Sequence, residues 1–155
     1  MSHNFKYQSG LGNSAAYMVS GIPWITGSSD IGLAQEVKVE FPRVTNNFTI
    51  VASGSGATPK IRVHFNSTSS AATIGNGGLV HGPGSANVIS AHHYIQLDGD
   101  EESMNFPVKC KEVYITALND GSGFQLFASL TGIDAGAMYD LTGSGLTTDL
   151  ANGTT

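Results

Sequence analysis

The chain predicts an all-β domain: an antiparallel β-sandwich of jelly-roll-like arrangement, with an extended N-terminal arm and a C-terminal tail. Three observations predict it. Short runs alternate apolar and polar residues, placing Val37, Val39 and Phe41, then Ile61, Val63 and Phe65, then Val113 and Ile115 at every second position. Successive side chains of a strand point to opposite faces, so each run buries one face and leaves the other polar. Gly, Ser, Asn and Thr fill the stretches between the runs, and Gly alone accounts for 20 of 155 residues; such clusters punctuate strands. No segment carries apolar residues at helical spacing over three turns. About seven or eight short strands without helices bury their apolar faces best as two packed sheets.

The elements follow in order. Residues 1–14 read as an arm with aromatics at Phe5 and Tyr7, residues 15–133 as the sandwich, and residues 134–155 as a flexible or clasp-like tail. Residues 17–20, starting at Tyr17, form a short extended segment. Pro23 cannot donate to a ladder, which puts Trp24 in a loop or on a sheet edge. Gly27-Ser-Ser-Asp30 reads as a turn. Residues 35–41 form a strand with Glu36, Lys38 and Glu40 on its polar face, ended by Pro42. Residues 47–53 and 60–65 are two strands joined as a hairpin through 54–59, with Lys60, Arg62 and His64 facing outward. Residues 66–91 are a long Gly/Ser-rich connection of the kind that carries function or crosses between sheets. Residues 92–97 and 104–110 are strands separated by the acidic turn 98–102. Residues 111–117 and 123–130 flank Asp120-Gly121, a hairpin signal. Val113 and Ile115 fall out of phase with Val108 and Cys110, which places a bulge or short turn near Lys111.

Composition narrows the functional classes. Charged residues make up 12% of the chain and the net charge is −5. An acidic, weakly charged surface opposes binding driven by nucleic-acid or membrane phosphates and suits broad contact with neighbouring subunits. The single cysteine, Cys110, forms no internal disulfide and reads as a small buried hydrophobe. The first residues lack the basic start and apolar stretch of a secretory signal, and no apolar run reaches the ~18 residues of a membrane span.

Motifs that carry chemistry are scarce. His92-His93 are strand neighbours that point to opposite faces, and no His-x-His pair exists to chelate from one strand. Asp98-Gly-Asp-Glu-Glu102 lacks the ligand spacing of a calcium loop and reads as a solvated turn. Gly10-Leu-Gly-Asn-Ser-Ala15 follows no strand and opens no helix, so it is not a dinucleotide fingerprint. No Gly-x-Ser-x-Gly elbow is present. No catalytic residue, cofactor site or metal site is assigned. Phe5, Tyr7, Tyr17 and Trp24 are the candidate interface residues, because aromatics concentrate at interface hot spots. A second reading is a glycan-binding sandwich using Trp24, Tyr94, Tyr139 and the 66–91 connection.

Four segments occurring in order, residues 17–27 (YMVSGIPWITG), 39–45 (VEFPRVT), 61–65 (IRVHF) and 129–133 (SLTGI), resemble the small virion structural proteins of marine tailed phages, particularly those infecting cyanobacteria. The resemblance spans residues 5–133 apart from the Gly-rich stretch 75–84, and its order and spacing carry it. It implies a non-enzymatic particle component, assembled in the host cytoplasm and kept in the virion. Within that class it implies a head decoration (cement) protein that contacts the major capsid protein and further copies of itself, trimers being common among such proteins. A tail or baseplate accessory protein is the neighbouring alternative.

Overall fold

The computed structural model describes residues 10–15, 21–56, 58–65 and 94–138. Among the described residues eight strands build the fold: β1 (Ile22–Ile31), β2 (Glu36–Glu40), β3 (Arg43–Gly54), β4 (Ile61–His64), β5 (Ile95–Leu97), β6 (Ser103–Phe106), β7 (Glu112–Ala117) and β8 (Ser122–Asp134). They form two four-stranded sheets, ordered β1-β8-β3-β6 and β2-β7-β4-β5, and every pairing is antiparallel.

The pairing obeys one rule. β4 pairs with β5, β3 with β6, β2 with β7 and β1 with β8. A long hairpin folded at its middle gives these pairs. Rolling that hairpin drops alternate pairs into opposite sheets, and the contacts β8–β3 and β7–β4 then complete each sheet. The result is an eight-stranded jelly roll, which the alternating runs of the sequence anticipate.

The inner faces interdigitate as the periodicity requires. Val37, Val39, Ile61, Val63 and Ile115 from the second sheet meet Phe48, Ile50, Ala52, Leu126 and Ala128 from the first, all buried. An aromatic row crosses the core. Trp24 meets Phe41 edge-on at 5.3 Å, Phe41 lies 5.8 Å from Phe48, and Phe48 stacks on Phe106 at 4.8 Å. Phe65 adds edge contacts to Phe48 and Phe106. Buried Cys110 sits beside Thr45, whose hydroxyl accepts from the Cys110 N–H at 3.0 Å. Asp134 caps the 3₁₀ turn Ala135–Ala137 by accepting from the Gly136 N–H at 2.8 Å, and Met138 beyond it is buried against the core.

Four expectations change. Gly27-Ser-Ser-Asp30 lies inside β1 and makes a register shift against β8 between Ser28 and Ile31. A Cβ at Gly27 would stand 2.6 Å from the Phe124 carbonyl oxygen, so the glycine allows close strand approach where a turn was expected. The segment after β3 joins strands of different sheets, so β3 and β4 are no hairpin. The acidic turn 98–102 and the Asp120-Gly121 turn also carry the chain from one sheet to the other. Turn residues reverse the chain; they do not decide whether it returns beside its own strand or opposite it. The strand expected over 104–110 ends at Phe106, and the break before β7 explains the phase shift near Lys111.

Candidate functional site

Three surfaces carry the remaining chemistry. The first is the outer face of the β2-β7-β4-β5 sheet. Register places Glu36, Thr116, Arg62 and Gln96 in one cross-strand row and Lys38, Tyr114 and His64 in the next. Alternation predicts an outward His64 and a wet Glu36, yet His64 is 1% exposed and Glu36 0%. Central β7 is buried on both faces. Periodicity says which side chains share a face; it does not say whether water covers that face.

Buried polar groups here are paired, as their desolvation demands. His64 Nε2 lies 2.7 Å from Thr116 Oγ1 and 3.7 Å from Glu36 Oε2, and its ring stacks on Tyr114. Tyr114 donates its hydroxyl to Glu112 Oε1 at 3.3 Å. Lys38 bridges Glu40 at 2.7 Å and Glu112 at 2.9 Å. Partial burial acts to lower the Lys38 pKa, but the bonds to Glu40 and Glu112 outweigh it and hold the ammonium above the ordinary lysine range. Arg62 donates to Gln96 Oε1 at 3.0 Å and lies 4.2 Å over the Tyr94 ring. These residues went unassigned in the sequence; the legible signal was the complementary set Glu-x-Lys-x-Glu, Arg-x-His and Glu-x-Tyr-x-Thr on strands of one fold. Satisfied in this way, the network positions strands.

The second surface is the opposite outer face, on β1-β8-β3-β6. Register aligns Ile25, Phe127, Thr49 and Asn105 in one row, with Gly27, Gln125, Val51 and Ser103 beside it. Pro23, Ser129 and Asn47 make a third row. None of these residues is charged. Ile25 is 74% exposed and its cross-strand partner Phe127 45%.

The third surface is a cleft of about 490 Å³ on the flank where the edge strands β1 and β2 face each other. Trp24, Thr26 and Ser28 turn toward it from β1, alternating with the outward Ile25, and Gly27 lines it as well. Asp30, Gln35, Lys38 and Glu40 line it as well. Trp24 thus lies on an edge strand, as one of its two expected settings had it.

Other candidates separate. Tyr94 precedes β5 on the far edge of the second sheet, so it shares no groove with Trp24. Phe5, Tyr7, Tyr17, His92, His93, Tyr139 and the stretch 66–91 lie outside the described residues. In the acidic turn, the Glu102 carboxylate accepts from the Gly99 N–H at 3.2 Å, and Asp98 accepts from Gln96 at 2.7 Å. Among the described residues no group of three His, Cys, Asp or Glu side chains converges to hold a metal ion. No described helix is long and apolar enough to cross a membrane.

The architecture defines a class, the eight-stranded jelly roll. No protein-family model matches the chain, and no curated protein matches it. Among solved structures, a rhamnosidase from Klebsiella oxytoca with rhamnose bound aligns with 79% of this chain at 13% identity and a TM-score of 0.31. The chain spans 23% of the length of that enzyme.

Proposed function

We propose that this chain is a non-enzymatic structural component of a phage particle, a head decoration protein that holds neighbouring shell subunits together. The observation that carries the proposal is the three uncharged cross-strand rows on the outer face of the β1-β8-β3-β6 sheet, with Ile25 and Phe127 exposed in the row between the other two. A chain of net charge −5 meets further copies of itself with least repulsion where its surface carries no charge. Exposed aromatic and aliphatic side chains supply the apolar centre of an interface, and the surrounding Thr, Asn, Gln and Ser residues supply its polar rim. The jelly roll is itself an architecture used in capsids, and the resemblance to virion proteins points the same way. Partners are the major capsid protein and other copies of the chain.

Antibody-gold labelling of intact particles from the source, viewed by electron microscopy, tests this reading. Label spread over the head is the expected outcome. Label confined to the tail would move the protein to the accessory role. Absence from particles whose epitope is accessible would overturn the structural assignment.

A further inference from the structure

We infer that the cleft between β1 and β2 is a binding site for neutral oligosaccharide. The inference is independent of the particle assignment, because the cleft lies on the sandwich flank and shares only Gly27 with the uncharged sheet rows. The cleft volume of about 490 Å³ falls within the range of small-molecule sites. Its wall combines the half-buried Trp24 indole with polar groups, over a floor that includes buried Phe124. The edge contact of Trp24 with Phe41, at 5.3 Å and 72°, sets the indole orientation before any ligand arrives. An indole held at the side of a cleft presents a flat apolar surface to the C–H face of a pyranose ring.

The polar groups suit sugar hydroxyls. Among the described residues, nothing takes up the Trp24 indole N–H, the Asp30 carboxylate or the Gln35 side-chain amide. Together they provide an N–H donor, a two-oxygen acceptor and an amide that does both, which is what a hydroxyl needs. Charge then selects among sugars. Lys38 is committed to Glu40 and Glu112, so the groups left toward the ligand are net negative through Asp30. A uronate or sialylated chain would be repelled and a neutral one admitted.

Trp24 is the one tryptophan in the sequence, so fluorescence excited beyond the tyrosine absorption band reports on this cleft. The chain is titrated with cellohexaose, chitohexaose and mannohexaose, and with an oligogalacturonate as the anionic control. A saturable fluorescence change with at least one neutral hexasaccharide, and none with the oligogalacturonate, is expected. Asp30→Ala and Gln35→Ala keep the reporter, and each should weaken the response about tenfold with an unchanged melting temperature. No saturable change with any neutral hexasaccharide would overturn the site. So would a response that survives both substitutions, or one stronger with the oligogalacturonate.

Discussion

Single residues carry identifiable costs in this fold. Ala34, in the link between β1 and β2, holds φ at 59°. A Cβ is crowded in that left-handed region, and glycine escapes the crowding at some expense in chain entropy. Ala34→Gly should therefore raise stability by roughly 0.5–1 kcal/mol, read as a higher denaturation midpoint in urea. Cys110 offers a test by pH. Burial raises its thiol pKa from an ordinary 9.0 to about 11. Between those values the folded chain keeps a proton that the unfolded chain has released. The contribution is complete below pH 9.0 and falls as pH rises through the folded value. The loss is on the order of 2–3 kcal/mol. Unfolding midpoints measured from pH 8 to 11 should fall in the native protein, and Cys110→Ala should remove this part of the slope.

At the level of the element, β7 and β1 show what strand position does. β7 is central and buried on both faces, so its polar residues Glu112, Tyr114 and Thr116 each rely on a partner from β2, β4 or β7 itself. Lys38→Met would leave the Glu112 carboxylate, 8% exposed, with the Tyr114 hydroxyl but no cation. Losing one partner of such a pair costs about 2–3 kcal/mol. Glu112→Gln added to Lys38→Met should recover part of that loss, a non-additivity that a double-mutant cycle in urea measures. β1 is an edge strand, and Pro23 near its start removes one donor that would otherwise invite another strand. Its alternation serves two surfaces, with Ile25 on the outer sheet face and Trp24 on the cleft. The glycine in its second half reads as a turn in the sequence, because nothing local reveals that the Phe124 carbonyl lies against it.

For the whole molecule, the two faces of the β1-β8-β3-β6 sheet separate folding from the assembly proposed above. Ile115, fully buried between the sheets, cannot accept a carboxylate, and Ile115→Asp should abolish folding, as should Phe41→Asp. Circular dichroism and a missing thermal transition would show it. Phe127→Asp and Ile25→Asp place charge on the exposed face, where the fold tolerates it. Both should keep the native melting temperature within about 2 °C, since surface changes rarely exceed ~0.5 kcal/mol. On the proposed decoration reading, both should shift the sedimentation profile toward the monomer and reduce retention on heads. Normal assembly by these two variants would remove the uncharged face from the interface.

What the sequence determined by itself was the class of fold and the inner faces. Val37, Val39, Ile61, Val63, Ile115 and Phe48 announce their burial through a period of two, a property of the strand backbone that needs no neighbour. The proline before Trp24 also narrowed its setting to a loop or a sheet edge, and the structure puts it on an edge strand. Only the tertiary structure decided which strands pair, because Asp120-Gly121 and the acidic turn reverse the chain whether it returns to its own sheet or crosses to the facing one. Only the tertiary structure buried His64 beside Glu36 and Thr116, and brought Trp24, Asp30 and Gln35 to one cleft. Alternation is a local fact about a strand; burial of its polar side and convergence of distant side chains depend on how the sheets roll.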